Sequence, residues 1–146
     1  MLRSIAPALL AVGIAGCAAF GGGGDPPIDT VWRIAELDGV EVPRLQGNRA
    51  PTLLLDAEGR ASGFTGCNRM TAGYTLEGDA IEFGTIASTR MACEPVASEV
   101  ELAYLEALAS VTAWRRRGDD LELRDAAGAV RIRGETTGRV DPVRER

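Results

Sequence analysis

The chain has 146 residues, 45% of them hydrophobic and 25% charged, which suits one domain with a real core. Its 16 basic residues against 21 acidic ones leave a net charge of −5, and aromatics make up only 5%; both argue against a nucleic-acid platform. There is no histidine, which removes Ser-His-Asp and Cys-His catalysis and the commonest metal ligand.

Residues 1–16 read as an export signal. Arg3 is its charged start and positions 5–14 its apolar run, well short of the ~20 residues that span a bilayer. Ile14-Ala15-Gly16-Cys17 resembles the lipobox of bacterial lipoproteins, in which the cysteine becomes a lipidated N-terminus. That resemblance implies acyl chains on Cys17, enough for stable anchoring, and Ala18 after it favours the outer membrane, facing the periplasm. Residues 17–29 then carry four consecutive glycines and two prolines and read as a flexible, lipid-anchored tether. No lysine follows the glycines, so they are not a phosphate loop.

The folded domain is expected over residues 30–134. A strand at 30–37 turns at Asp38-Gly39 into a partner at 40–42. Strands at 52–55 and 60–66 form a second pair across Glu58-Gly59. A hairpin at 74–77 and 80–83 turns at Gly78-Asp79, and a strand fragment lies at 85–87. Residues 95–111 form the one convincing helix. Ala97, Val100, Tyr104, Leu105, Leu108 and Val111 share an arc at 100° per residue, and Ser98 with Glu101 fits a capping box. Strands at 112–117, 121–124 and 130–133 follow as a meander. Residues 135–146 show no period and are expected to fray. Strands, one helix, then strands is an α+β pattern with the helix packed on a curved antiparallel sheet.

The chemistry-bearing residues concentrate between Ser62 and Cys93. Gly63-Phe64-Thr65-Gly66-Cys67-Asn68-Arg69 places glycines at a strand end, where backbones approach closely, and Asn68 can hold a turn. Thr89-Arg90-Met91-Ala92-Cys93 supplies a second cysteine. Cys67 and Cys93 are candidates for a disulfide, for two buried thiols or for a redox pair; export favours the structural bridge. Arg69 and Arg90 are either an anion clamp or structural partners of Glu94, Glu101 or a backbone carbonyl. Glu101 lies inside the apolar arc of the helix, the position of a cap or buried partner. The carboxylates of Asp119, Asp120, Glu122 and Asp125 lack an EF-hand loop and read as a solvated hairpin. Arg115-Arg116-Arg117 reads as a solvated or edge face.

These residues resemble the META domain, whose bacterial members include heat-inducible HslJ-type envelope proteins. The resemblance rests on Trp32, the Gly63, Gly66, Cys67, Asn68, Arg69 block, Tyr74, the Thr89, Arg90, Cys93 block and Glu101-x-x-Tyr104-Leu105-x-x-Leu108. Met70 and Ala72-Gly73 depart from the family pattern, which has an aromatic and a glycine-serine pair there. The resemblance implies a small curved sheet, almost a broken barrel, with one helix, a shape shared with lipoprotein pilots that can hold an acyl chain. It brings no catalytic residues, metal or cofactor. The expected role is a non-catalytic binding or assembly module in envelope maintenance or stress response, partnered by the membrane through its anchor and by an envelope protein or apolar ligand. A carrier holding an acyl chain between helix and sheet is the alternative, and an enzyme using carboxylates and arginine the weaker one.

Overall fold

The computed structural model describes residues 24–139. The signal segment, Cys17 and the first part of the tether lie outside the described residues. Ten strands, one α-helix and a short 3-10 turn at Gln46–Asn48 are described. The strands are β1 (Thr30–Leu37), β2 (Val40–Glu41), β3 (Thr52–Leu55), β4 (Arg60–Phe64), β5 (Arg69–Glu77), β6 (Ala80–Phe83) and β7 (Ala87–Ser88), then β8 (Val111–Arg117), β9 (Asp120–Asp125) and β10 (Val130–Arg139); the helix α1 is Pro95–Ser110.

Eight of the strands close into an antiparallel barrel in the order β1-β3-β4-β5-β6-β8-β9-β10, and β10 pairs back onto β1. Both β2, on β1, and β7, on β5, lie off this ring. The expected curved sheet is therefore present, and it is closed. Alternation selects the interior: Trp32 and Ile34 of β1, Leu53 and Leu55 of β3, Leu121 and Leu123 of β9 and Ile132 of β10 are fully buried. A register shift after Ile34 breaks the alternation in β1, turning Glu36 out and Leu37 in.

Two expectations at the ends of the domain are corrected. Residues 135–139 do not fray but extend β10, because they supply the hydrogen-bonding partners that close the barrel, with Thr136 opposite Trp32 and Glu135 opposite Arg33. The end of the expected tether also belongs to the domain. Pro27 is buried, its carbonyl accepts the Trp32 indole N–H at 3.0 Å, and the Asp29 amide donates to the Leu55 carbonyl. Of the arginine run, Arg115 and Arg117 are exposed, whereas Arg116 stacks its guanidinium 5.1 Å from the Trp32 ring and donates to the Pro26 carbonyl.

Helix α1 packs its Ala97, Val100, Tyr104, Ala107 and Leu108 into the core. Pro95 stands in its first turn, where a missing N–H costs nothing. Glu94 is the N-cap residue, so Ser98 sits inside the helix and the capping box does not form. The Tyr104 hydroxyl donates to the Thr52 carbonyl at 3.0 Å, and burial pushes its phenol pKa up. A Cβ at Gly63 would lie 2.1 Å from that same carbonyl oxygen. The glycine keeps the strand able to offer its carbonyl to the helix.

Outside the barrel, β1, β10 and β9 carry a ladder of ion pairs. Arg133 donates to Glu36 at 3.1 Å and to Glu122 at 2.8 Å, while Arg124 donates to the other oxygen of Glu122 at 2.5 Å. Burial alone would raise the Glu122 pKa, but the hydrogen bonds and charges of Arg124 and Arg133 hold it below the ordinary carboxylate range.

Two outcomes follow. Leu108→Ala removes a fully buried side chain and should cost about 2–5 kcal/mol in urea unfolding; a loss within ~0.5 kcal/mol, that of a surface site, would contradict the packing. Glu122, its pKa depressed in the fold, contributes stability above its unfolded value that disappears as pH falls through its folded value. Glu122→Gln should therefore cost about 1–3 kcal/mol at neutral pH and progressively less as the solution is acidified.

Candidate functional site

The turn between β4 and β5 is built on Thr65. Its hydroxyl donates to the Asn68 carbonyl at 3.0 Å and accepts the Asn68 amide at 2.9 Å, and the Thr65 amide donates to the same carbonyl at 2.8 Å. Gly66 adopts a φ of +108°, and a Cβ there would meet Val100 of α1 at 3.0 Å. The turn therefore lies against the helix.

Asn68 is buried and uses both ends of its amide. The side-chain oxygen accepts the Met91 amide at 2.7 Å and the Thr89 hydroxyl at 3.0 Å. The nitrogen donates to Glu101 of α1, 2.9 Å from one carboxylate oxygen. Glu101 is thus a partner of Asn68 rather than a cap. One side chain joins the β4–β5 turn, the loop before α1 and α1 itself, with few polar groups left unpaired. Cys67 and Cys93 are joined by a disulfide with their Cα atoms 5.8 Å apart, within the bridging range. Gly66, Cys67, Asn68, Thr89, Cys93 and Glu101 all meet here, whereas Gly63 lies along β4 against Thr52 and Tyr104.

Arg69 and Arg90 are drawn to this region by their backbones, the Thr89 amide donating to the Arg69 carbonyl at 3.0 Å. Both side chains are exposed, and among the described residues neither forms an ion pair. The expected structural pairing with Glu94 or Glu101 is absent there.

Two surface grooves flank this junction. One, of about 550 Å³, runs over the outer face of β3, β4 and β5 and is lined by Arg49, Arg69, Phe64, Thr52, Ser62 and Thr71, among others. Arg49 lays its guanidinium 4.0 Å over the Phe64 ring. The second, of about 320 Å³, lies between the β1–β2 hairpin and α1. Val40, Val42, Pro43, Val96, Val100 and Ala103 supply most of its wall, and Asp38, Glu41 and Glu99 supply its acids. Val40 is 68% exposed and Val96 45%, an apolar pair left uncovered on a domain whose interior is filled. No group of three or more metal-ligating side chains is assembled among the described residues.

A family model described as the META domain matches residues 26–137. The chain belongs to the META domain family. The match starts within the segment that the structure places against Trp32, four residues before the expected domain start. An NMR structure of a protein from Burkholderia xenovorans is similar to this META domain at 27% identity and a TM-score of 0.61, over 94% of this chain and 100% of that one. A second protein solved by NMR, 19% identical, aligns over 73% of this chain and 88% of its own with a TM-score of 0.58. A crystal structure of a DUF4847 family protein from Bacteroides vulgatus, 8% identical, shares the fold at 0.55, over 75% of this chain and 93% of that one. Among curated proteins, none matches this chain.

Sequence reasoning found the junction and missed both grooves. Arg49 lies in the connection between β2 and β3 without a periodic neighbour, and the β1–β2 hairpin is legible without the helix that faces it. Asn68→Asp tests the junction: it keeps the shape, removes the donor and sets a carboxylate against Glu101. Thermal and urea unfolding at neutral pH should show a loss of about 1–3 kcal/mol. An unchanged stability would mean that the amide of Asn68 holds nothing.

Proposed function

We propose that this META domain is a non-catalytic binding module of the cell envelope, anchored through lipid on Cys17, that docks an apolar polypeptide segment flanked by basic residues in the groove between β2 and α1. The observation that carries this reading is the apolar wall of exposed Val40 and Val96 with half-buried Val42 and Ala103, bordered by Asp38, Glu41 and Glu99. Exposed apolar surface rimmed by polar groups marks interaction sites in soluble domains. Acidic residues along such a wall favour cationic flanks on the occupant and oppose a fatty-acid carboxylate.

A role in envelope maintenance or stress response fits a tethered module of this kind. The lipobox-like Ile14-Ala15-Gly16-Cys17 supports the anchor and an outer-membrane location. The acyl carrier is the second reading, and what favours it is the same groove: 320 Å³ lies in the range of small-molecule sites, ~300–1,000 Å³. The space between helix and barrel is otherwise filled by Tyr104, Ala107 and Leu108, all fully buried.

Titration of the isotope-labelled full chain with three ligands separates these readings. A short peptide with a Leu/Val core and arginine flanks should give saturable amide shifts at Val40, Val96 and Ala103, abolished by Val96→Glu. The same core with glutamate flanks should bind more weakly. Saturation by palmitate alone would replace the module by a carrier, and no shift with any of the three would defeat both.

A further inference from the structure

We infer that the groove over β3, β4 and β5 is an oxyanion site that takes the phosphate group of a phosphate ester, through Arg49 and Arg69. It lies on a different face from the apolar groove and stands independently of it. Arg49 and Arg69 line one concavity of about 550 Å³, and no acidic residue lines it with them. Neither guanidinium is neutralised by an ion pair among the described residues, although Arg33, Arg60, Arg124, Arg131 and Arg133 all are. On a chain of net charge −5, a groove with two such cations and no anion is a local inversion of sign.

The Phe64 ring beneath Arg49 holds that guanidinium over the wall at 4.0 Å, reducing the freedom that binding would otherwise remove. Arg69 opens β5, its amide bonded to the Thr89 hydroxyl at 3.1 Å, so its backbone is fixed by the junction. Ser62 and Thr71, paired across β4 and β5, add hydroxyls to the same wall. One guanidinium fork satisfies both oxygens of a carboxylate. Two forks with neighbouring hydroxyls match the larger number of acceptor oxygens and the higher charge of a phosphate. The volume is within the ~300–1,000 Å³ of small-molecule sites, leaving room for the esterified group.

The test uses the full chain carrying Cys17→Ser, so that the expected anchor does not place it on a membrane. Glycerol phosphate at low salt should give saturable amide shifts at Gly63, Phe64, Arg69 and Met70. Arg49→Ala and Arg69→Ala should each weaken binding about tenfold, the loss of one charge-assisted contact, while the exposed Arg117→Ala leaves it unchanged. Co-sedimentation with phosphatidylglycerol vesicles but not phosphatidylcholine vesicles, lost in the same two variants, would assign the ester to a lipid headgroup. Shifts with glycerol phosphate and no such vesicle binding would assign it to a soluble ester. Absence of saturable shifts and of vesicle binding overturns the site, as does an equal weakening by Arg117→Ala, which would reduce the effect to general charge.

Discussion

The amide of Asn68 is the constraint on which the functional half of the domain depends. A buried amide must satisfy two donors and an acceptor, and an unsatisfied one is costly. Here those requirements are met by three residues from two other pieces of chain: Thr89 and Met91 in the loop, and Glu101 on the helix. The loop would otherwise be an exposed connection. Fixed by Asn68, it hands the chain to α1 in one orientation, and the groove between α1 and the β1–β2 hairpin inherits its shape from that orientation.

The barrel sets the frame around this junction. Its interior is lined by fully buried side chains, among them Trp32, Leu53, Leu121 and Ile132. Tyr104 carries the link inward, from α1 to the Thr52 carbonyl, through the space left by Gly63. The Cys67–Cys93 disulfide runs parallel to the Asn68 contacts. A closed loop of this length contributes about 3–4 kcal/mol in the chain-entropy model, mainly by limiting the unfolded chain. The polar network sets direction, and the bridge limits how far the pieces separate.

Much of this was legible in the sequence because local chemistry and final structure agree there. Asp38-Gly39 and Gly78-Asp79 mark turns that the structure contains, and the arc through Ala97, Val100, Tyr104 and Leu108 is the buried face of α1. The META resemblance located Asn68 and Glu101 together without stating that they touch. Closure was not legible, since residues 135–139 have no apolar period and are strand only because β1 needs a partner. The start of the domain was hidden for a similar reason. Pro27 looks like a linker residue, and only the buried Trp32 indole gives its carbonyl a role. Arg49 and Arg69 come from a loop and a strand twenty residues apart, and a pairing of that kind leaves no spacing to read.

Asn68 makes an exposed loop as rigid as the barrel. Native-state hydrogen exchange of the Met91 amide measures this most directly, because that N–H belongs to a residue 64% exposed and donates to the Asn68 side chain. Exchange there should be as slow as that of the barrel strands, opening only with global unfolding. Exchange at the rate of an ordinary surface loop, with the strands still protected, would contradict it.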